Sequence, residues 1–230
     1  MNIKFEIEKK GSDLMRAGVI MTPHGEIHTP TISAAATKAT VKAMSTEDVL
    51  AVGAESVLAN TYHLYLQPGD ELIKRAGGIH KFMNWSGPVF TDSGGFQAFS
   101  LGEAFGTGIS KFIGFGDTEY NPSQHPKRAR VDDDGVTFFS HIDGSEHRFT
   151  PERSIEIQHN IGADIILAFD ECVSPHAPRE AHERAVERTR LWAKRCLVEH
   201  ERLKQRPQAD NSLRVSSEKI PRLASMSDRE

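Results

Sequence analysis

Pro88-Val89-Phe90-Thr91-Asp92-Ser93-Gly94-Gly95-Phe96-Gln97 is the stretch on which the reading of this chain turns. A short apolar run, Pro88–Thr91, has the character of a buried strand. An aspartate ends it, and a Ser-Gly-Gly turn follows. The arrangement returns at Asp164–Phe169, a run of apolar and β-branched residues that closes on Asp170. A third short run, Glu55–Asn60, lies upstream. Short apolar strands alternating with helical stretches are the pattern of parallel strands covered on both faces. An α/β barrel and a doubly wound sheet both satisfy it.

The elements around these strands carry their own signals. Ser45, Thr46 and Glu47 give helix-start chemistry and Gly53 a stop; Pro68-Gly69 breaks the chain before a helix over Asp70–Ala76. Thr150 can cap a helix with Pro151 in its first turn and Glu152 beside the positive end of the dipole, running through Ile155 and Ile161 to Gly162. The longest helical period covers Glu180–Leu203, where Ala181, Ala185, Arg188, Trp192 and Cys196 recur at i, i+3 or i+4 and Glu180 can pair with Arg184. Two antiparallel pieces are expected. In the first, Ile3, Phe5 and Ile7 share a face, Val19 and Met21 mark a second strand, and His24-Gly25 turns the chain into Glu26–Ile32. In the second, Val136–Ile142 and Ser145–Thr150 flank Asp143-Gly144, the dipeptide of a type I′ hairpin turn.

Two stretches break the pattern. Residues 102–134 are Gly-rich, then basic, then acidic, and read as a long loop excursion. Residues 206–230 contain five serines and two prolines with no sustained period, so they are expected to lack regular structure. The division expected is therefore 1–205 as one α/β unit and 206–230 as a tail.

Composition narrows the class. With 38% hydrophobic and 26% charged residues, the chain is of ordinary globular composition. A formal charge of −4 argues against a whole-surface nucleic-acid binder, although not against a local basic face. Cys172 and Cys196 are too few for a disulfide scaffold or a four-ligand zinc site built by this chain alone. The first residues lack the apolar core of a signal peptide, and no apolar run reaches the ~18 residues of a membrane span. A cytoplasmic location without a membrane partner is expected.

Asp92 and Asp170 are the informative pair, since each follows a strand at the edge where parallel α/β sheets present their sites. Two carboxylates there suit proton transfer, displacement at an anomeric carbon, metal binding or base recognition. The plainer alternative is that each caps a turn or a helix. Gly94 and Gly95 let backbone approach a flat ligand closely. Phosphate-loop and dinucleotide patterns fail: no lysine follows in the needed spacing, and Gly106-Thr107-Gly108 lacks the third glycine. Tyr62 and Phe96 could stack a base or fill the core; Cys172 suits a small buried apolar residue better than a nucleophile. His24, His63 and His141 read as loop or turn residues.

Phe90-Thr91-Asp92-Ser93-Gly94-Gly95-Phe96-Gln97 resembles the tRNA-guanine transglycosylases, also called queuine tRNA-ribosyltransferases. So do Asn60-Thr61-Tyr62-His63-Leu64, Gln67-Pro68-Gly69, Gly135–Phe138, Ser140–Gly144, Thr150–Gln158 and Ala168-Phe169-Asp170-Glu171-Cys172. The resemblance covers roughly residues 3–203, and the Gly-Gly-Phe-Gln form resembles the bacterial branch more than the archaeal one. It implies part of a (β/α)₈ barrel with an antiparallel N-terminal sheet and a β-hairpin insertion. It implies exchange of the wobble guanine of tRNA for a 7-deazaguanine in queuosine biosynthesis, through a covalent ribosyl–enzyme intermediate. Asp92 matches the general acid/base, and Asp170 the carboxylate that accepts from the purine's N1–H and exocyclic amine. Ser93, Gly94, Gly95 and Phe96 match the base pocket, with Cys172 as a wall. tRNA, a purine or 7-deazaguanine base and a homodimeric partner are the implied partners.

The family's nucleophilic aspartate, its Gln-Gly-Gly segment and its Cys₃His zinc site have no counterpart in this sequence. No cofactor is therefore expected in this chain. Two expectations follow: an incomplete form of the enzyme, or a non-catalytic fragment or partner subunit that binds RNA or a second chain.

Overall fold

The computed structural model describes residues 3–100 and 129–205. The elements numbered below fall within these residues. The expected tail, 206–230, and most of the expected excursion lie outside them.

Strands β1 (Lys4–Lys10), β2 (Arg16–Thr22) and β3 (Gly25–Thr29) form an antiparallel sheet in sequence order. Thr22 pairs with Gly25, so the turn is Pro23-His24, one position earlier than expected, and Gly25 is a strand residue. Val19 and Ile27 are buried, whereas Ile3, Phe5 and Ile7 share an open face, each about half exposed.

The central sheet is parallel. Strands β4 (Ala34–Ala35), β5 (Val57–Ala59), β6 (Val89–Thr91) and β10 (Ile165–Ile166) lie side by side in the order of the chain. Among the described residues no strand of this sheet is passed over between neighbours, and the chain between them carries helices: α1 (Thr46–Ala51), α2 (Thr61–Leu66), α3 (Asp70–Arg75), α4 (Ile79–Met83), the helical residues 95–100 (α5) and α6 (Pro151–Ile161). Helix α7 (Arg179–Lys204) follows β10. This is an α/β architecture. The core runs from Val57, Ala59 and Val89 in the sheet to Ile157 and Ile161 of α6 and Trp192 of α7.

A second antiparallel sheet, β7 (Ala129–Asp132), β8 (Gly135–Phe139) and β9 (Glu146–Phe149), precedes α6. Strand β7 falls inside the expected excursion: Val131 pairs with Val136 across a turn at Asp133-Asp134, so residues 129–134 are sheet and turn, not loop. The β8–β9 connection corrects another expectation. The last pair is Phe139 with Glu146, Ser140 N–H donates to Ser145 carbonyl, and of Asp143-Gly144 only Gly144 has a positive φ, +76°. Side chains take the place of the I′ geometry. Ser140 Oγ accepts from Ile142 N–H, and Asp143 Oδ1 accepts from Ser145 N–H and Oγ.

The helix signals at Ser45, Thr150 and Gly162 hold. Ser45 forms a capping box with Asp48; Thr150 Oγ1 accepts from Arg153 N–H, Pro151 is in the first turn, and Gly162 closes α6 in the left-handed region. In α7, Ala185, Trp192 and Cys196 are buried as the period requires, but the first-turn ion pair is Arg179–Glu183 rather than Glu180–Arg184. Helices α2 and α4 were not foreseen. Asn60, placed by the sequence in a strand, instead caps α2 by accepting from His63 N–H at 3.0 Å.

Strand β10 is shorter than the run that predicts it, for a definite reason. The N–H and C=O of Leu167 bond to the side chain of Gln158, which also accepts from Thr91 Oγ1. Gln158 is fully buried and joins β6, α6 and the segment after β10. The backbone beyond Ile166 is therefore satisfied without a strand neighbour.

Candidate active site

The two carboxylates picked from the sequence meet at the carboxyl ends of adjacent parallel strands. Asp92 follows β6 and Asp170 lies four residues past β10. A cavity of about 430 Å³ opens between them, lined by Asp92, Ser93, Gly94, Phe96, Gln97, Leu167, Ala168 and Asp170. A second cavity of about 290 Å³ beside α1 and α4 holds a single carboxylate, Glu47, and no converging pair.

Asp92 is bound from one side by the segment after β5. Asn60 Nδ2 donates to Oδ2 at 2.5 Å, Thr61 N–H to Oδ1 at 2.8 Å and Gly94 N–H to Oδ1 at 3.2 Å. Thr61 Oγ1 donates to the Asp92 carbonyl. Burial pushes the Asp92 carboxyl up; the N–H groups of Thr61 and Gly94 oppose this, and the nearby negative Asp170 adds to it. The donors are all neutral, which is why they do not win. A carboxyl raised in this way exchanges protons nearer neutrality than an ordinary aspartate.

Asp170 accepts from Ser93 Oγ at 2.8 Å through Oδ1, and among the described residues Oδ2 has no partner. Ser93 is in turn fixed by α6, whose Ser154 Oγ donates to the Ser93 carbonyl at 2.7 Å. The glycines act differently from each other. Gly94 has φ +77°, and a Cβ there would meet Phe149 of β9 at 3.0 Å and Thr61 Cβ at 3.5 Å. Gly95 lies behind the cavity, where a Cβ would stand 2.7 Å from the Asp170 carbonyl. Its N–H donates to Ser93 Oγ, so Ser93 links the two aspartate segments.

The aromatic candidates divide. Phe96 lines the cavity and is about half exposed. Tyr62 is buried on α2 with its hydroxyl on His141 Nδ1 at 3.1 Å, and is core, not a stacking face. Cys172 packs against the core and is not among the residues lining the cavity. Gln97, which the sequence did not single out, lines the cavity with a buried side-chain oxygen that has no hydrogen-bond partner among the described residues. Asn60 and Thr61 were missed as partners of Asp92, although Asn60-Thr61 stands directly after the β5 run.

The opposite end of the sheet holds another carboxylate. Asp164 accepts from His24 Nδ1 at 2.7 Å, His80 Nε2 at 3.0 Å and Val89 N–H at 2.9 Å. The imidazoles are stacked, centroids 3.5 Å apart and 16° from parallel, so each addresses its own carboxylate oxygen. Burial raises the Asp164 carboxyl, but its bonds to His80, His24 and Val89 outweigh burial and hold it below the usual range. The cluster joins the β2–β3 turn, α4 and the start of β10. Sequence read His24 only as a turn residue.

Cys196 does not fit as a ligand for a zinc ion of the Cys₃His type. Cys196 is buried, its Sγ accepts from Phe169 N–H at 3.3 Å, and burial pushes its thiol up to about 11, far from the thiolate a zinc ligand must be.

Comparison with known proteins identifies relatives of this chain. The family model described as Queuine tRNA-ribosyltransferase matches residues 12–215. The queuine tRNA-ribosyltransferase of Fusobacterium nucleatum is 47% identical over 200 residues, 87% of this chain and 47% of that protein. The one from Desulforamulus reducens is 48% identical over 203 residues, 88% of this chain and 48% of its own length. A putative queuine tRNA-ribosyltransferase of Archaeoglobus fulgidus is 45% identical over 210 residues, covering 88% and 52%. The chain thus spans about half the length of the relatives it matches. Among the described residues no helix is long and apolar enough to cross a membrane. With the motifs, the paired carboxylates and the family match in agreement, the chain belongs to the queuine tRNA-ribosyltransferase family.

Proposed function

We propose that this chain carries the base-recognition and proton-transfer side of a tRNA-guanine transglycosylase site, where the wobble guanine of a tRNA is exchanged for a 7-deazaguanine. The observation that carries the reading is the convergence of Asp92 and Asp170 on one cavity, one carboxyl raised and the other with an oxygen unengaged. Two carboxylate oxygens suit the N1–H and exocyclic amine of a guanine-type edge, and charge-assisted bonds of this kind are strong. Asp92, with its raised carboxyl, gives or takes the proton at the ring nitrogen that parts from the ribose. Phe96 lines the cavity beside the two carboxyls, and the Gly94 backbone lets a base approach closely. A base in an anticodon loop must leave its stack to enter such a cavity.

The sequential order β4-β5-β6-β10 supports reading the parallel strands as part of an eight-stranded barrel with its site at the carboxyl ends of the strands. A doubly wound sheet would place a later strand on the far side of the first. A cytoplasmic location and a homodimer belong to the same reading.

Covalent capture of the ribose needs a nucleophile, and Asp92 serves as acid/base here. The 230-residue polypeptide is therefore expected to bind guanine without exchanging it. Calorimetric titration with guanine and adenine tests the binding: preference for guanine is expected, and equal or absent binding sinks the reading. Radiolabelled guanine incorporated into a wobble-guanine tRNA by the purified chain would overturn the second expectation.

A second reading, a subunit that docks on another chain, is favoured by one observation. Helix α7 exposes Val186, Leu197 and Val198 at 62–70% of their surface. Sedimentation of the chain with and without Val198→Lys decides it; a monomer in both cases counts against docking through this face.

A further inference from the structure

Asp170 is not held by a strand. β10 ends at Ile166, and among the described residues the Asp170 side chain has a single bond, from Ser93. Its neighbours on both sides are held by α7. Phe169 N–H donates to Cys196 Sγ at 3.3 Å, and Glu171 N–H donates to Thr189 Oγ1 at 3.0 Å. The Glu171 carboxylate, largely buried, receives the guanidinium of Arg188. Arg188 reaches on to Asp133 Oδ1 at 3.0 Å, in the β7–β8 turn. Phe169 also stacks on Trp192, whose indole N–H donates to the Asp133 carbonyl at 2.7 Å. Residues 188–189, 192 and 196 form one stripe of the helix, so a single rigid element grips the main chain on both sides of Asp170.

We infer that Arg188 and Thr189 are positioning residues that set the direction of the Asp170 carboxylate and thereby the selection of purines bearing a 2-amino group. The inference rests on the reading of Asp170 given above. A carboxylate that accepts two parallel N–H donors must hold both oxygens in the plane of the base, with tolerance of only about 0.5 Å and 10–20°. A base offering one donor tolerates a swing of the carboxylate. Loosening the grip therefore costs guanine more than hypoxanthine, which keeps N1–H but lacks the amine. Thr189→Val keeps the shape and removes the acceptor for Glu171 N–H; Arg188→Met removes the ion pair. Thr189→Ser and Arg188→Lys keep, respectively, the acceptor and the charge.

The test is calorimetric titration of the 230-residue chain and these four variants with guanine and with hypoxanthine. In Thr189→Val and Arg188→Met, guanine affinity is expected to fall about tenfold, equivalent to ~1.4 kcal/mol. Hypoxanthine affinity is expected to change by less than about twofold, with the Ser and Lys variants restoring most of the preference. A loss equal for both bases, or no loss, overturns the inference while leaving the base-recognition reading intact. If the wild-type chain binds neither base, the reading itself has failed. The grip is then judged by the Asp170 side-chain carboxyl resonance in ¹³C spectra. Movement of that resonance in Thr189→Val but not in Thr189→Ser supports the grip, and an unmoved resonance overturns it.

Discussion

The two ends of the parallel sheet each present a nearly buried aspartate bound by three donors, and they behave in opposite ways. At the carboxyl end, Asp92 is held by Asn60, Thr61 and Gly94, all neutral, beside the like charge of Asp170, and its carboxyl is raised. At the amino end, Asp164 is held by two imidazoles and an amide, and its carboxyl is lowered. The number of hydrogen bonds does not separate a reactive carboxylate from a structural one. What separates them is whether the donors can carry charge and whether a cavity adjoins the group.

The largest expected effect falls on the amino end. Asp164→Ala strips His24, His80 and Val89 N–H of their acceptor and should cost about 3 kcal/mol of folding free energy. Guanine affinity of the molecules still folded should be unchanged. Urea unfolding followed with calorimetry checks both, and loss of affinity without loss of stability would break the comparison.

Next comes Asp170→Ala, expected to weaken guanine binding by ~100-fold, the worth of two hydrogen bonds to a charged group. Its melting temperature should barely move, since one bond to Ser93 is lost. A large drop in melting temperature would make Asp170 a pin like Asp164.

Gly95→Ala is intermediate. Its methyl would stand 2.7 Å from the Asp170 carbonyl, so one of the two segments must shift, at about 1–3 kcal/mol. The cavity should lose its shape at the same time, and a crystal structure of the variant would show a displaced Asp170.

The smallest effect is in pH. A lowered carboxyl such as Asp164 contributes stability that is present above the ordinary aspartate value near 3.8 and lost as pH falls through its own lower value. Asp92 has the opposite sign: its contribution is present below 3.8 and lost as pH rises through its raised value. Unfolding free energies measured from pH 3 to 7 should lose acid sensitivity of about 1 kcal/mol in Asp164→Asn but retain it in Asp92→Asn. Equal behaviour of the two variants would remove the electrostatic distinction.

What was legible in the sequence followed from local rules. The helix from Thr150 to Gly162 was readable because cap, proline, apolar period and stop are all near neighbours. Asp92 and Asp170 were singled out because each follows a short apolar run, at the edge where parallel sheets present their sites. The Asp143-Gly144 turn misled because Ser140 and Asp143 side chains bond the loop backbone, a competition that dipeptide preference does not include. The His24–His80–Asp164 cluster was hidden because its members lie up to 140 positions apart, and His80 sits on a helix the sequence did not announce. Asn60 was assigned to a strand, and only the folded geometry shows it both capping α2 and holding Asp92.

Gln158 has one further consequence. By bonding both polar groups of the Leu167 backbone and the hydroxyl of Thr91, it works as a spacer of fixed length between two strand ends. The gap across which Asp92 and Asp170 face each other is then gauged by the reach of one side chain on a helix. Glutamine exceeds asparagine by a single methylene, so a change at this one position is enough to narrow the cavity or leave its far wall unsupported.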